Sequence, residues 1–252
     1  MSARSVIKSA LRRILRQQTY DALKNHEFRL RLLVGAHYER EVRIVRSLLP
    51  RDAVVIDVGA NIGQYTVPLA KRVGPHGKVI SLEPSPSVRA LLTSNVQFYR
   101  LRNVEVLPFA ASDGEPEVTL FTPVRQSKAS FQESAIAPVS TSDMAVSVRA
   151  ITLDSLPLDR CDLIKIDTEG AELKVLKGAT RVLERHRPLL LLEVDPRYCS
   201  RFGYTPRDLV AFLGQLGYHA GVQIGGGLRR ADEPKDLTSG RNIFFLHSSR
   251  RT

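Results

Sequence analysis

Tryptophan is absent from the 252 residues, aromatic residues make up only 6%, and cysteine occurs twice. The two cysteines, Cys161 and Cys199, form no CxxC pair, which excludes a disulfide framework and a structural zinc site and fits a reducing compartment. No apolar run approaches the roughly 18–20 residues that span a bilayer. Arg12, Arg13 and Arg16 interrupt the apolar core that a signal peptide needs, so no secretion signal is expected. No two histidines stand at metal-ligand spacing, and carboxylates alone do not establish a metal; none is predicted. Hydrophobic residues make up 43%, ordinary globular usage that argues against disorder.

The net charge of +11 is unevenly placed. Residues 1–51 hold 12 Lys/Arg against 4 Asp/Glu, whereas residues 52–252 hold 25 against 22. The basicity therefore belongs to the N-terminal segment and says little about the main domain's substrate. Val6, Ile7, Ala10, Leu11, Ile14 and Leu15 recur at helical steps with arginines between them. A second helical stretch carries Phe28, Leu32 and Leu33, and a third runs from Glu39 to Leu49, stopped by Pro50. This extension (1–50) reads as a helical cap over the main domain (51–252), or as a basic amphipathic helix lying on an anionic membrane. The expected setting is cytoplasmic, with the inner membrane face as the candidate contact. No aromatics interleave with the arginines, so no nucleic-acid partner is expected.

From Ala53 the pattern alternates. Apolar runs at 53–58, 78–83, 104–110, 162–167 and 189–194 read as strands, with helices over 62–73 and 87–99 and from about Ala171. That rhythm predicts βαβ units and a mostly parallel sheet. Residues 114–161 break it, with short strands around 118–121 and 146–148 and a Ser/Thr/Ala/Pro-rich segment between them, read as an inserted β-element over the site. After a helix capped by Thr205 with Pro206 at N1, strands at 218–224 and 242–247 are too closely linked for a parallel crossover and should pair antiparallel.

The first strand ends in Asp57-Val58-Gly59-Ala60-Asn61-Ile62-Gly63-Gln64-Tyr65-Thr66. Open α/β sheets bind ligands beyond the carboxyl ends of their strands. Gly59 allows the turn, Gly63 allows close approach, and the helix amino-terminus would offer N–H groups to a carboxylate. Asp57 repels a pyrophosphate but suits an ammonium. Glu83 stands 20 residues beyond Gly63, where an acid accepts hydrogen bonds from a ribose diol. Together these groups describe S-adenosylmethionine. A nicotinamide cofactor would call for GxGxxG, whereas this chain has GxNxG. Asn61 and Tyr65 belong to the same candidate set, as do Ser112 and Asp113 at the end of the third strand, where adenine would lie. On this reading Gly63→Val removes donor binding by bulk.

The fourth strand ends in Asp167-Thr168-Glu169-Gly170-Ala171-Glu172. Methyl transfer to an alcohol benefits from a carboxylate that orients the hydroxyl or takes its proton. Asp167 and Glu169 are the catalytic candidates, although both also suit capping of the next helix. Glu172 reads as a first-turn acid, Lys165 as a candidate charge partner beneath the site, and Glu193 as a further pocket-facing carboxylate.

At these residues the sequence resembles the FkbM-type family of S-adenosylmethionine-dependent methyltransferases. The carriers are Asp57-Val58-Gly59-Ala60-Asn61-Ile62-Gly63 and, more specifically, Ile164-Lys165-Ile166-Asp167-Thr168-Glu169-Gly170-Ala171-Glu172, extended by Val175-Leu176-Lys177-Gly178-Ala179. Thr152-Leu153-Asp154 and Leu192-Glu193 also match. The resemblance runs from about Ala53 to His247. It implies a Rossmann-like, class I methyltransferase fold of seven strands and O-methylation of a hydroxyl on a sugar, polyketide or other secondary metabolite. By motif position, it implies Gly59, Asn61, Gly63 and Glu83 around the donor and Asp167 and Glu169 on the acceptor side. The alternatives are a nicotinamide-dependent oxidoreductase on a related sheet and an inactive, membrane-associated binding module.

Overall fold

The computed structural model describes residues 26–30, 40–122, 124–125, 128–129, 144–224, 227–230 and 241–250. The first basic stretch, around residues 6–15, lies outside them. Residues 26–30 are helical, and α1 spans Arg40–Leu48. The main sheet is built from β1 (Val54–Val58), β2 (Lys78–Leu82), β3 (Val104–Leu107), β9 (Leu163–Ile166), β10 (Leu189–Val194), β11 (Tyr218–Ile224), β12 (Gly227–Arg230) and β13 (Arg241–His247). Their order is β12-β11-β13-β10-β9-β1-β2-β3. The run β10-β9-β1-β2-β3 is parallel, and β13 is antiparallel to both β10 and β11. This is the expected seven-strand arrangement with an antiparallel final pair, lengthened at one edge by β12, which pairs antiparallel with β11.

Helices cover both faces. Ile56, Ile164, Ile166, Leu190 and Leu192 bury together with Val175, Leu176, Leu183, Leu209 and Leu213, which belong to α4 (Glu172–Lys177), α5 (Thr180–His186) and α7 (Pro206–Gln215). On the other face, Val55, Leu163, Leu189 and Leu191 pack with Leu69, Ala70 and Val73 of α2 (Thr66–Val73) and with Val42, Ile44, Val45 and Leu49 in and just after α1. Each such side chain contributes about 1.5–3 kcal/mol relative to exposure. The Arg72 guanidinium donates to the carbonyls of Arg46 and Leu49, tying α1 to α2. Phe28 is buried with Ile62, Val67 and Val88, the last from α3 (Pro86–Phe98).

Two local departures from the expected pattern have clear causes. The first helix begins at Thr66, not Ile62, because Asn61 (φ 50°) and Gly63 (φ 98°) lie in left-handed backbone that no α-helix accommodates. The third strand stops at Leu107, where Pro108 cannot donate to the ladder. Beyond it, β4 (Ala110–Ala111) joins a separate three-stranded sheet with β5 (Glu117–Thr122) and β8 (Met144–Ile151), and β6 (Val124–Arg125) pairs antiparallel with β7 (Lys128–Ala129). Among the described residues, no helix is long and apolar enough to cross a membrane.

Candidate active site

The carboxyl ends of β1, β2 and β9 meet at a cleft of about 670 Å³, its open mouth included. The order of the sheet sets β9 directly beside β1, with Asp57 in register with Lys165 and Val58 with Ile166. A Cβ added to Gly59 would lie 1.9 Å from the Asp167 carbonyl oxygen, so only glycine lets the two strand-end loops press together here.

Of the candidate residues, Gly59, Asn61, Glu83, Asp167 and Glu169 line this cleft. Glu83 is buried. One of its oxygens accepts from the Asn61 backbone N–H and the other from that of Ser85, each at 2.9 Å. A carboxylate has about four acceptor positions, so each oxygen keeps capacity for one hydroxyl of a diol. Burial pushes the Glu83 carboxyl up to about 7, against the pull of those two N–H donors. Leu82, Pro84, Val88, Phe109, Ala110, Ala111 and Leu120 make an apolar end suited to a flat base. Arg149 covers Phe109 at 4.9 Å from the ring centroid. Leu120 comes from β5, so the inserted β-element does reach the site.

Five other candidates sit elsewhere. Asp57 is fully buried beneath the turn, where Thr66 Oγ1 donates to its Oδ2 at 2.6 Å; burial pushes its carboxyl up. Tyr65 is buried in the core, and its hydroxyl accepts from Asn242 Nδ2 at 3.3 Å. Gly63 faces packing: an added Cβ would lie 3.0 Å from Leu92 Cδ1 and 3.4 Å from Val67 Cγ2. Ser112 is buried and donates to the exposed Asp113, and neither lines the cleft. The backbone N–H groups from Gly59 to Gly63, which the sequence pattern leaves for a carboxylate, are engaged by the end of β2 and by the turn itself. Gly59 and Ala60 donate to Leu82, Asn61 to Glu83, Ile62 to the Asn61 side chain and Gly63 to Ala60.

The loop after β9 is organised from below. Glu172 is buried, and its Oε1 accepts from Thr168 N, Thr168 Oγ1 and Gly170 N while Tyr204 donates to Oε2. Glu172 thus folds the 168–170 loop over the start of α4. The loop also holds Glu169 at φ 52°, strained backbone for a side chain of its size. Lys165 Nζ donates to Asp167 Oδ2 at 2.7 Å. Burial would raise the Asp167 carboxyl, but the Lys165 charge and the hydrogen bonds from Glu193 and Lys165 hold it below the usual range. Glu193 is the complement: its hydrogen bond with Asp167, together with burial, pushes it up to about 9. Two carboxyls that share a site push each other apart in this way, one down and one up. Sequence reasoning missed Thr168, Pro84, Val88 and Leu120 in the lining, since nothing in their spacing singles them out.

The sequence matches the family described as "Methyltransferase FkbM domain" over residues 57–220. Methyltransferase 1 of Beauveria bassiana (strain ARSEF 2860) is 27% identical over 148 residues, covering 51% of this chain and 59% of that protein. Hexuronic acid methyltransferase AglP of Haloferax volcanii is 25% identical over 182 residues, covering 69% of this chain and 66% of that protein. The chain thus spans about three fifths to two thirds of these relatives' lengths. The crystal structure of methyltransferase FkbM from Methylobacillus flagellatus KT superposes with a TM-score of 0.51 at 18% identity, covering 79% of this chain and 44% of that one, a likeness of fold.

Proposed function

Given that the chain belongs to the FkbM methyltransferase family, we propose that it methylates a hydroxyl oxygen on a sugar, a glycan or a secondary metabolite. The methyl donor of the family is S-adenosylmethionine, so the nicotinamide reading falls. The residues present fit that donor. Glu83 keeps open acceptor positions for a ribose diol, the apolar wall from Leu82 to Leu120 suits adenine, and all three charged residues lining the cleft are acids, which favour a cationic sulfonium. Bound there, the donor supplies an electrophilic methyl group on positively charged sulfur.

The observation that carries O-methylation is Asp167. It lines the cleft, and Lys165 and Glu193 stabilise its ionised form. A carboxylate so stabilised is a weak base, which suits an alcohol: the hydroxyl need not ionise beforehand, because it becomes strongly acidic as the new O–CH3 bond forms. Asp167 accepts the hydroxyl hydrogen bond, aims the oxygen lone pair at the methyl and takes the proton late. Thr168 and Glu169 add hydrogen-bonding groups beside it, as a polyol requires. AglP, named for hexuronic acid, supports a sugar acceptor.

The test is a panel of glycosides and hydroxylated metabolites incubated with the protein and 13C-methyl-labelled donor. A labelled methyl at an O-methyl chemical shift is expected. Label found only on nitrogen or carbon acceptors would overturn the proposal. Isothermal titration with S-adenosylhomocysteine and with NADH checks the donor side separately, and binding of the former alone is expected.

A further inference from the structure

Lys165 is the one lysine or arginine that is buried among the described residues, with its side chain 2% exposed. It stands in β9, in register with Asp57 of β1 and Leu191 of β10, on the sheet face that packs against α1 and α2. An ammonium in such a place is costly unless its charge is met. Four elements meet it. Asp57 lies on β1 with its Oδ1 buried and unpartnered. The Tyr65 ring, in the turn after β1, has its centroid 4.7 Å from Nζ. Asp167 follows β9 with Oδ2 2.7 Å away, and Glu193 of β10 acts on it by charge. Asn242 of β13 stands opposite Glu193 and donates to the Tyr65 hydroxyl, closing the shell.

We propose that Lys165 is a positioning residue of the transfer: its buried ammonium orients and charges Asp167 as the proton-receiving carboxylate. The inference rests on the O-methylation reading above and names the device that operates it. A rotatable carboxylate on a strand-end loop could turn toward solvent, since its side chain is 34% exposed. The lysine beneath holds one of its oxygens, leaving its remaining acceptor positions for the cleft. In the transfer the acceptor oxygen forms its bond to the methyl carbon as the bond from sulfur to that carbon breaks and its electron pair returns to sulfur. The hydroxyl proton passes to Asp167, and Lys165 stays charged throughout. Buried Glu172 of α4 adds negative charge behind Glu193. Asp195, Arg197 and Tyr198, the cap and first residues of the short helix α6 (Pro196–Cys199) after β10, and Glu169 on the facing loop complete the charged and titratable surroundings.

The experiment needs no acceptor. Protein saturated with S-adenosylhomocysteine is labelled with 13C at Asp and Glu side-chain carboxyls and with 15N at lysine Nζ, and Asp167 is assigned by loss of its signal in Asp167→Asn. In the wild type the Asp167 signal should stay ionised down to pH 5. In Lys165→Met, which keeps length and removes charge, its midpoint should rise by at least one pH unit, and Lys165→Arg should restore most of the shift. An unchanged midpoint in a Lys165→Met protein that still binds S-adenosylhomocysteine would overturn the proposal. Should that variant not fold, the wild-type Lys165 Nζ resonance decides. A charged, slowly exchanging ammonium that shifts in Asp167→Asn supports the pairing, and a neutral amine between pH 7 and 9 sinks it. The acceptor panel tests O-methylation independently, so the two failures remain distinguishable.

Discussion

Glu83 accepts two backbone N–H donors while its carboxyl sits near neutrality. Only the ionised form accepts from both hydroxyls of a diol, so S-adenosylhomocysteine affinity should fall about tenfold between pH 8 and pH 6. Glu83→Gln should flatten that dependence and weaken binding; equal affinity at the two pH values would refute the diol role. Gly59 and Gly203 share φ 72°, yet a Cβ at Gly203 meets nothing within 4 Å whereas at Gly59 it collides with the Asp167 carbonyl. Gly203→Ala should cost about 1–2 kcal/mol of left-handed strain, and Gly59→Ala several kcal/mol more, read by chemical denaturation. Gly63→Val is now expected to act through the Leu92 and Val67 contacts, lowering stability along with donor binding. That Gly59, Asn61, Glu83 and Asp167 gather at one cleft was legible because strand ends and turns leave marks in sequence. Asp57 and Tyr65 sit in the same motif but face the core, a distinction that depends on which way the chain turns after Gly59.

At the scale of elements, the β9–α4 loop is held by a single buried acid. Glu172→Ala removes the acceptor for Thr168 and Gly170 and the partner of Tyr204, leaving donors unpaired. A loss of about 2–4 kcal/mol is expected, with faster hydrogen exchange at Thr168 and Gly170; unchanged protection there would contradict the assignment. The pattern announced Glu172 as a first-turn acid, and nothing local told that its carboxyl turns back onto the loop. By contrast, the Thr205–Pro206 start of α7 was readable outright, because an N-cap and a proline at the first helical position are local signals; the structure adds Asp208, which closes a capping box with Thr205. The short strand β12 went unread: it follows a glycine run and pairs only with its predecessor.

For the whole molecule, Glu83 and Glu193 titrate higher in the fold than their usual 4.5, near 7 and 9. The folded chain then binds more protons than the unfolded one between those limits, so these two groups make stability fall as pH rises from about 5 to 9. Thermal denaturation should show a higher Tm at pH 6 than at pH 8.5, with the difference reduced in Glu193→Gln. Saturating S-adenosylhomocysteine, which favours ionised Glu83, should raise Tm more at pH 8 than at pH 6. The parallel sheet and its antiparallel end were legible because crossover length and apolar runs constrain topology. The pairing of Asp167 with Glu193 was not, since it joins residues from neighbouring strands whose side chains meet only once β9 and β10 are aligned.

The backbone-on-backbone seam between Gly59 and Asp167 leaves the donor and acceptor loops no room to slide past each other. They form a rigid jaw. On the proposed reading, accommodation of bulkier acceptors then falls to the antiparallel β5–β8 pair, which enters the cleft through Leu120 and is tied to the rest of the fold through the short β4 pairing. Grafting that strand pair from a relative should exchange acceptor preference while leaving donor affinity intact.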